Sequence, residues 1–134
     1  MSTATLTATT WHARLTELLA LEAEARWHDT QVHDSLQAAF SALFPGWPSV
    51  GAEDRARAQR WMEQSGFNAA CDRSDKLGEQ IADLTGDLIR EPAPDRTAAL
   101  WKFRHLYTGE NVGTAWEEHF VAQANADIER YLEN

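Results

Sequence analysis

The sequence holds one cysteine, Cys71, which excludes a disulfide framework and a cysteine-built zinc site. No run approaches the roughly 18 apolar residues that a membrane-spanning helix requires. Strand-like alternation extends nowhere over a useful length, and β-branched residues are sparse between the breaks. Basic residues are also few: 12 Lys and Arg stand against 21 Asp and Glu, a net charge of -9. Such a chain is repelled by nucleic acid and by anionic membranes, so direct binding to either is not expected. The first ten residues lack the positive start and long apolar stretch of a secretion signal, and the expected location is cytoplasmic. A Gly-rich phosphate loop, G-x-S-x-G and H-E-x-x-H are all missing. No reaction can be assigned, and the expectation is a protein that is not an enzyme and carries no cofactor.

What is present describes a helical protein. A chain of 134 residues with 43% hydrophobic content can bury one core without a staple. Proline and glycine gather in Phe44–Gly51, Ser65-Gly66, Pro92–Asp95 and Tyr107–Gly113. Between these breaks the apolar residues recur at helical spacing. Met1 to Thr10 reads as a flexible tail ending in a cap at Thr9 or Thr10, followed by a single helical domain over 11–134. The fold class is all-α: a helical hairpin or bundle of about five helices, two of them long, over about 11–43 and 66–90. The two long helices are expected to pack antiparallel.

The first long helix carries Trp11, Leu15, Leu18, Ala25, Val32, Leu36, Ala39 and Leu43 on steps of three and four. Glu22 and Asp29 fill the two gaps and give it a polar middle. A short helix follows over about Ala52–Glu63. The next presents Ala70, Ser74, Leu77, Ile81, Leu84 and Leu88, with Gly78 beside them placed to admit a close backbone. Pro94-Asp95 starts a fourth helix, with Leu100, Trp101, Phe103 and Leu106 on a wide apolar face and Gly109 as a left-handed cap. Thr114-Ala115-Trp116-Glu117 has the form of a capping box, which predicts the start of the fifth. Trp116, Phe120, Val121, Ala124, Ile128 and Tyr131 are expected to face inward there.

The most regular charged feature lies on the third helix. Asp72, Asp75, Glu79, Asp83, Asp87 and Glu91 recur at steps of three and four, opposite its apolar stripe. The plain reading is a solvated face. The sharper reading is a carboxylate ladder imitating phosphates, because residues four apart rise about 6 Å along a helix. Glu110, Glu117, Glu118, Asp127, Glu129 and Glu133 add acidity further on, whereas Arg73, Lys76 and Arg90 interrupt the ladder. Asp75, Glu79, Asp83 and Asp87 are therefore candidate partner-binding residues. Trp47, between two prolines in the main loop, is another: it either plugs the end of a bundle or anchors a contact.

Other constellations are thinner. Glu24 with His28, Asp29 with His33, and the Glu118-His119 pair have spacings that suit shared metal ligation or plain surface pairing. No Glu-x-x-His occurs, so a di-iron set is not expected, and neither is any other metal. Cys71 lies close to the apolar stripe and reads as a buried structural thiol. Of six tryptophans, Trp11, Trp101 and Trp116 read as core, while Trp27 lies on a flank of the first helix.

Asp87 to Asp95, followed by Ala98-Ala99-Leu100-Trp101-Lys102, resembles a PAPD-x-x-AL-W-K stretch of small all-helical proteins of unknown function common in alphaproteobacterial genomes and prophages. Phe120 to Asp127 is similar to a later helix of theirs, and the resemblance covers residues 84 to 132. It implies a small accessory protein of a mobile element and assigns no activity and no site residues. The functional expectation is a non-enzymatic protein that binds a protein partner, one concrete version being an inhibitor of a host nucleic-acid defence complex. The alternatives are a nucleic-acid mimic using the acidic helix face, and a metal- or small-molecule-binding bundle that turns the polar middle of the first helix inward.

Overall fold

The computed structural model describes residues 3–133. Among them the chain is all-α, with no strand. Helix α1 spans Thr3–His28, passes through one widened π turn at Asp29–His33, and continues as α2 over Asp34–Leu43. Then come α3 (Ala52–Gln64), α4 (Phe67–Arg90), α5 (Arg96–Tyr107), a single 3-10 turn at Gly109–Asn111, and α6 (Glu118–Leu132). The first helix begins at Thr3, not near Trp11 as the Thr-rich start suggested. Met1 and Ser2, the head of the expected tail, lie outside the described residues. Two compact units form: one takes the chain up to Leu19 and from Ala82 onward, the other is Ala20–Ile81.

In the second unit, α1 and α4 run antiparallel, as expected. The pairings descend one helix as they climb the other: Arg73 with Glu24, His28 with the Ala70 carbonyl, and the His33 ring stacked on Phe67. The polar middle of the first helix finds partners here. Asp29 accepts a hydrogen bond from the Ser74 hydroxyl at 2.9 Å, and His28 is buried against the Ala70 carbonyl at 2.9 Å. Glu22 is half-buried.

The π turn changes which residues are buried beyond it. The Asp34 N–H reaches back five residues to the Asp29 carbonyl instead of four. One extra residue rotates everything that follows by about 100°. The stripe expected at Ala39 and Leu43 therefore moves to Phe40 and Phe44, which are buried, while Ala39 is exposed and Leu43 is 55% exposed. Phe40, Phe44 and Ala58 make a core to which Trp47, Trp61 and Met62 add their partly covered faces. At the α3–α4 junction Gly66 adopts φ +89°, a conformation that a side chain resists, and Ser65 accepts a hydrogen bond from the Phe67 N–H at 3.2 Å. Gly78 does not admit a backbone: the space where its Cβ would stand is open.

The first unit contains an α5–α6 hairpin. Its pairings also run antiparallel, from Arg96 with the Tyr131 carbonyl, through Lys102 with Asp127, to Tyr107 with Asn125. Asp95 caps α5 as the sequence predicts, accepting from the Ala98 N–H at 2.9 Å. Gly109 has φ +63° just past the end of the helix. The capping box at Thr114 does not form. Thr114 to Glu117 is not helical, and α6 starts at Glu118 with Glu117 at its cap. The reason is Trp116, whose indole donates to the Leu106 carbonyl at 2.8 Å and stacks on Phe120. Those contacts hold the segment off the helix axis. Ile89, Leu106, Val121 and Ala124 form the core of this unit, with Trp101, Trp116 and Phe120 against it.

Candidate functional site

The carboxylates of α4 come out as the sequence places them. In the second unit Asp75 and Glu79 are exposed; in the first, so are Asp83 and Asp87. Of the basic residues that interrupt the series, Lys76 is exposed with no ion-pair partner among the described residues, and the two arginines are engaged. Arg73 forms an ion pair with Glu24. Arg90 pairs with Asp87 at 3.2 Å, and its guanidinium lies over the Phe120 ring at 5.6 Å. Among the described residues Asp75, Glu79 and Asp83 have no ion-pair partner, so their charges face solvent uncompensated by direct contact. Glu91, the last of the series, is drawn into a pair with Arg14 and is half-buried.

Trp47 is placed differently. Its ring packs edge-on against Phe40 at 5.4 Å, and the Arg55 guanidinium lies 5.2 Å from its centre. Arg55 also donates to the Pro48 carbonyl at 2.9 Å, which ties the loop to α3. Of the two roles read from the sequence, these contacts are those of a plug.

A buried polar centre in the first unit was not visible as such in the sequence. Lys102 is 0% exposed and Asp127 4%. The Lys102 ammonium stands 2.7 Å from Asp127 Oδ2, donates to the Ile89 carbonyl at 3.1 Å, and donates also to the Glu91 carbonyl. Three donors meet three acceptors, so the group is fully used. Asp127 in turn accepts from the Ala93 N–H at 2.9 Å and from the Gln123 amide at 3.0 Å. Asp127 therefore does not belong to the acidic surface to which its charge and position assigned it.

The same centre closes the end of α4. The last carbonyls of a helix have no partner within it. Here the Leu88 carbonyl accepts from the Trp11 indole at 3.2 Å, and Lys102 covers those of Ile89 and Glu91. A cation at a helix C-terminus also meets the negative end of its dipole. Burial pushes the Lys102 ammonium below its ordinary range, and Asp127 opposes that shift. With every N–H committed, Lys102 has no hydrogen left to offer a substrate, and the pair reads as scaffold.

The remaining candidates are dispersed. Cys71 is half-buried, less covered than expected, and burial first, then Asp75 and Asp72, push its thiol up. A thiol shifted in that direction is a poorer nucleophile at neutral pH. His28 and Asp29 are engaged with Ala70 and Ser74, and His119 lies 3.4 Å from Glu117 in full exposure. No three His, Cys, Asp or Glu side chains converge as a metal-holding group among the described residues. No described helix is long and apolar enough to cross a membrane. No family model, curated protein or solved structure matches the chain.

Proposed function

We propose that this protein is a non-enzymatic, cytoplasmic helical binding protein that docks a basic surface of a protein partner onto the carboxylates of α4. The observation that carries this reading is that Asp75, Glu79 and Asp83 are exposed with no ion-pair partner among the described residues, Arg73 being held by Glu24, so that of the interrupting bases only the exposed Lys76 stands free beside them. Unpaired charges of one sign raise the local potential, steer an oppositely charged partner and enforce its orientation. Carboxylates about 6 Å apart along a helix approach the spacing of phosphates on one strand, so a nucleic-acid-binding cleft is the basic surface they suit. In its most concrete version the protein is a prophage-linked inhibitor that occupies such a cleft in a host defence complex.

The experiment is affinity capture from the native host, or from its phage-infected form, followed by a salt series on the recovered complex. Wild type is compared with the variant carrying Asp75→Asn, Glu79→Gln, Asp83→Asn and Asp87→Asn. The proposal expects affinity to fall steeply with salt for wild type and to be largely lost in the variant, with its fold intact. Equal affinities and a shallow salt slope would reject the α4 surface.

A further inference from the structure

A second surface, of opposite character, lies entirely within the second unit. Leu43, Phe44, Arg57, Arg60, Trp61 and Gln64 line a cleft of about 280 Å³ where the end of α2 meets α3. Its chemistry is mixed. Phe44 and Trp61 supply an apolar floor, and Leu43 stands at the rim with 55% of its surface exposed. The π turn is responsible for this exposure, because it took Leu43 out of the core and put Phe44 in. Two arginines stand at the cleft. Arg60 is exposed and has no ion-pair partner among the described residues. Arg57 lies with its guanidinium 5.8 Å from the centre of the Phe44 ring and is paired with Asp54 at 3.0 Å, both partners more than half exposed. A solvent-exposed pair three residues apart on a helix is weak, so an incoming carboxylate can recruit Arg57 at little cost.

We propose that this cleft binds an acidic segment of a partner protein, seating one of its leucine or phenylalanine side chains on Phe44 and Trp61 and its neighbouring carboxylate on Arg60 and Arg57. Charge decides the occupant. On a chain of net charge -9, two arginines over an apolar floor make a local basic and apolar patch, the complement of an acidic segment that carries an apolar side chain. Size decides the scale. Pockets for whole small molecules run from about 300 to 1,000 Å³, so this cleft suits a side chain better than a free cofactor. Direction follows from the neighbouring cleft, which shares Leu43, Phe44 and Arg57 but has Asp54 in its wall. The carboxylates of the segment therefore lie on the Arg60 side, and its uncharged residues on the Asp54 side. Arginine and tryptophan side by side are also the residue types that dominate binding energy at interfaces.

The test uses the full chain and three acetylated, amidated peptides: EELFE, its cationic counterpart KKLFK, and EEAAE, which keeps the charge but lacks the apolar anchor. Binding is followed by two-dimensional NMR of the Trp61 indole and the Arg57 and Arg60 side-chain N–H groups. EELFE is expected to shift all three saturably, with the other peptides at least tenfold weaker. Arg60→Glu is expected to lower EELFE affinity at least tenfold while leaving far-UV circular dichroism and Tm unchanged. Arg60→Ala, a milder change at the same exposed position, should lie between. Binding of KKLFK as tight as that of EELFE would overturn the proposal. So would saturable shifts confined to other tryptophans, or no saturable shift from EELFE at millimolar concentration. The α4 carboxylates play no part in this binding, so its failure leaves the proposed function standing and its success does not establish it.

Discussion

Lys102 Nζ and Asp127 Oδ2 stand 2.7 Å apart, with both side chains out of solvent. The lysine closes the W-K end of one segment and the aspartate closes the A-D end of another, so two stretches 25 residues apart in sequence meet as one buried ion pair. Removing one partner of such a pair strands the other as a buried charge, at a cost of about 3–5 kcal/mol. Lys102→Met should therefore lose that much stability in urea denaturation. Lys102→Met combined with Asp127→Asn should regain a large part, because the Asn oxygen still accepts from the Ala93 N–H and no charge is left alone. A double variant no better than the single would show that the stability comes from the cap on α4 and not from the pair.

The cap of α5 has its own signature. Burial tends to raise the Asp95 carboxyl, but the Ala98 N–H, His12 and the Thr97 N–H outweigh it and hold the group below its ordinary value of 3.8. A folded carboxyl that gives up its proton more readily than the unfolded one stabilises the fold above 3.8, and that contribution is lost as pH falls through the folded value. Asp95→Ala should cost about 1 kcal/mol at neutral pH. The difference from wild type should shrink in acid, measured as the denaturation midpoint against pH.

Neutralising Asp75, Glu79, Asp83 and Asp87 together should change stability little, within about 0.5 kcal/mol per site, because all four are exposed and Asp87 alone of them has an ion pair. Net charge falls in magnitude at the same time, which reduces self-repulsion. Thermal melts at low and moderate salt check this. A loss of several kcal/mol would mean that the row supports the fold.

The π turn predicts the effect of a single deletion. Removing Thr30 takes out the one extra residue, so Asp29–His33 can close as an ordinary α turn while Phe40 and Phe44 keep their faces toward Ala58 and Trp61. Thr30 is exposed and its hydroxyl bonds only carbonyls of its own helix, so the deletion should cost little, within about 1 kcal/mol. Circular dichroism and tryptophan fluorescence melts check this. A loss of about 3–5 kcal/mol, the cost of withdrawing a buried phenylalanine, would show that the π turn is not what accommodates the extra residue.

Two glycines offer opposite outcomes. Gly78 sits inside α4 with open space around it and an ordinary helical backbone. Gly78→Ala should stabilise by about 0.5–1 kcal/mol through helix propensity. Gly66, at φ +89°, should destabilise by about 1 kcal/mol or more on the same change. Paired denaturation curves decide both.

Much of the fold was legible along the chain because it is set by local chemistry. Helical spacing gave α3 and α4 their bounds to within a residue or so. Pro94 and Asp95 marked the start of α5, and glycines at 66 and 109 marked turns that need a positive φ. The exposed carboxylates followed from their phase on α4 relative to Leu77 and Leu88, which are buried. The tertiary structure decided the rest. A π turn has no fixed local signature, so the shift from Leu43 to Phe44 depended on what α3 offers for packing. The capping box at Thr114 lost because Trp116 gains a hydrogen bond and a ring contact that a helix start there would deny it. Asp127 read as a surface charge, and Lys102 only as part of a motif, because a lone buried charge is prohibitive, and only the fold brings each the partner that makes its burial affordable.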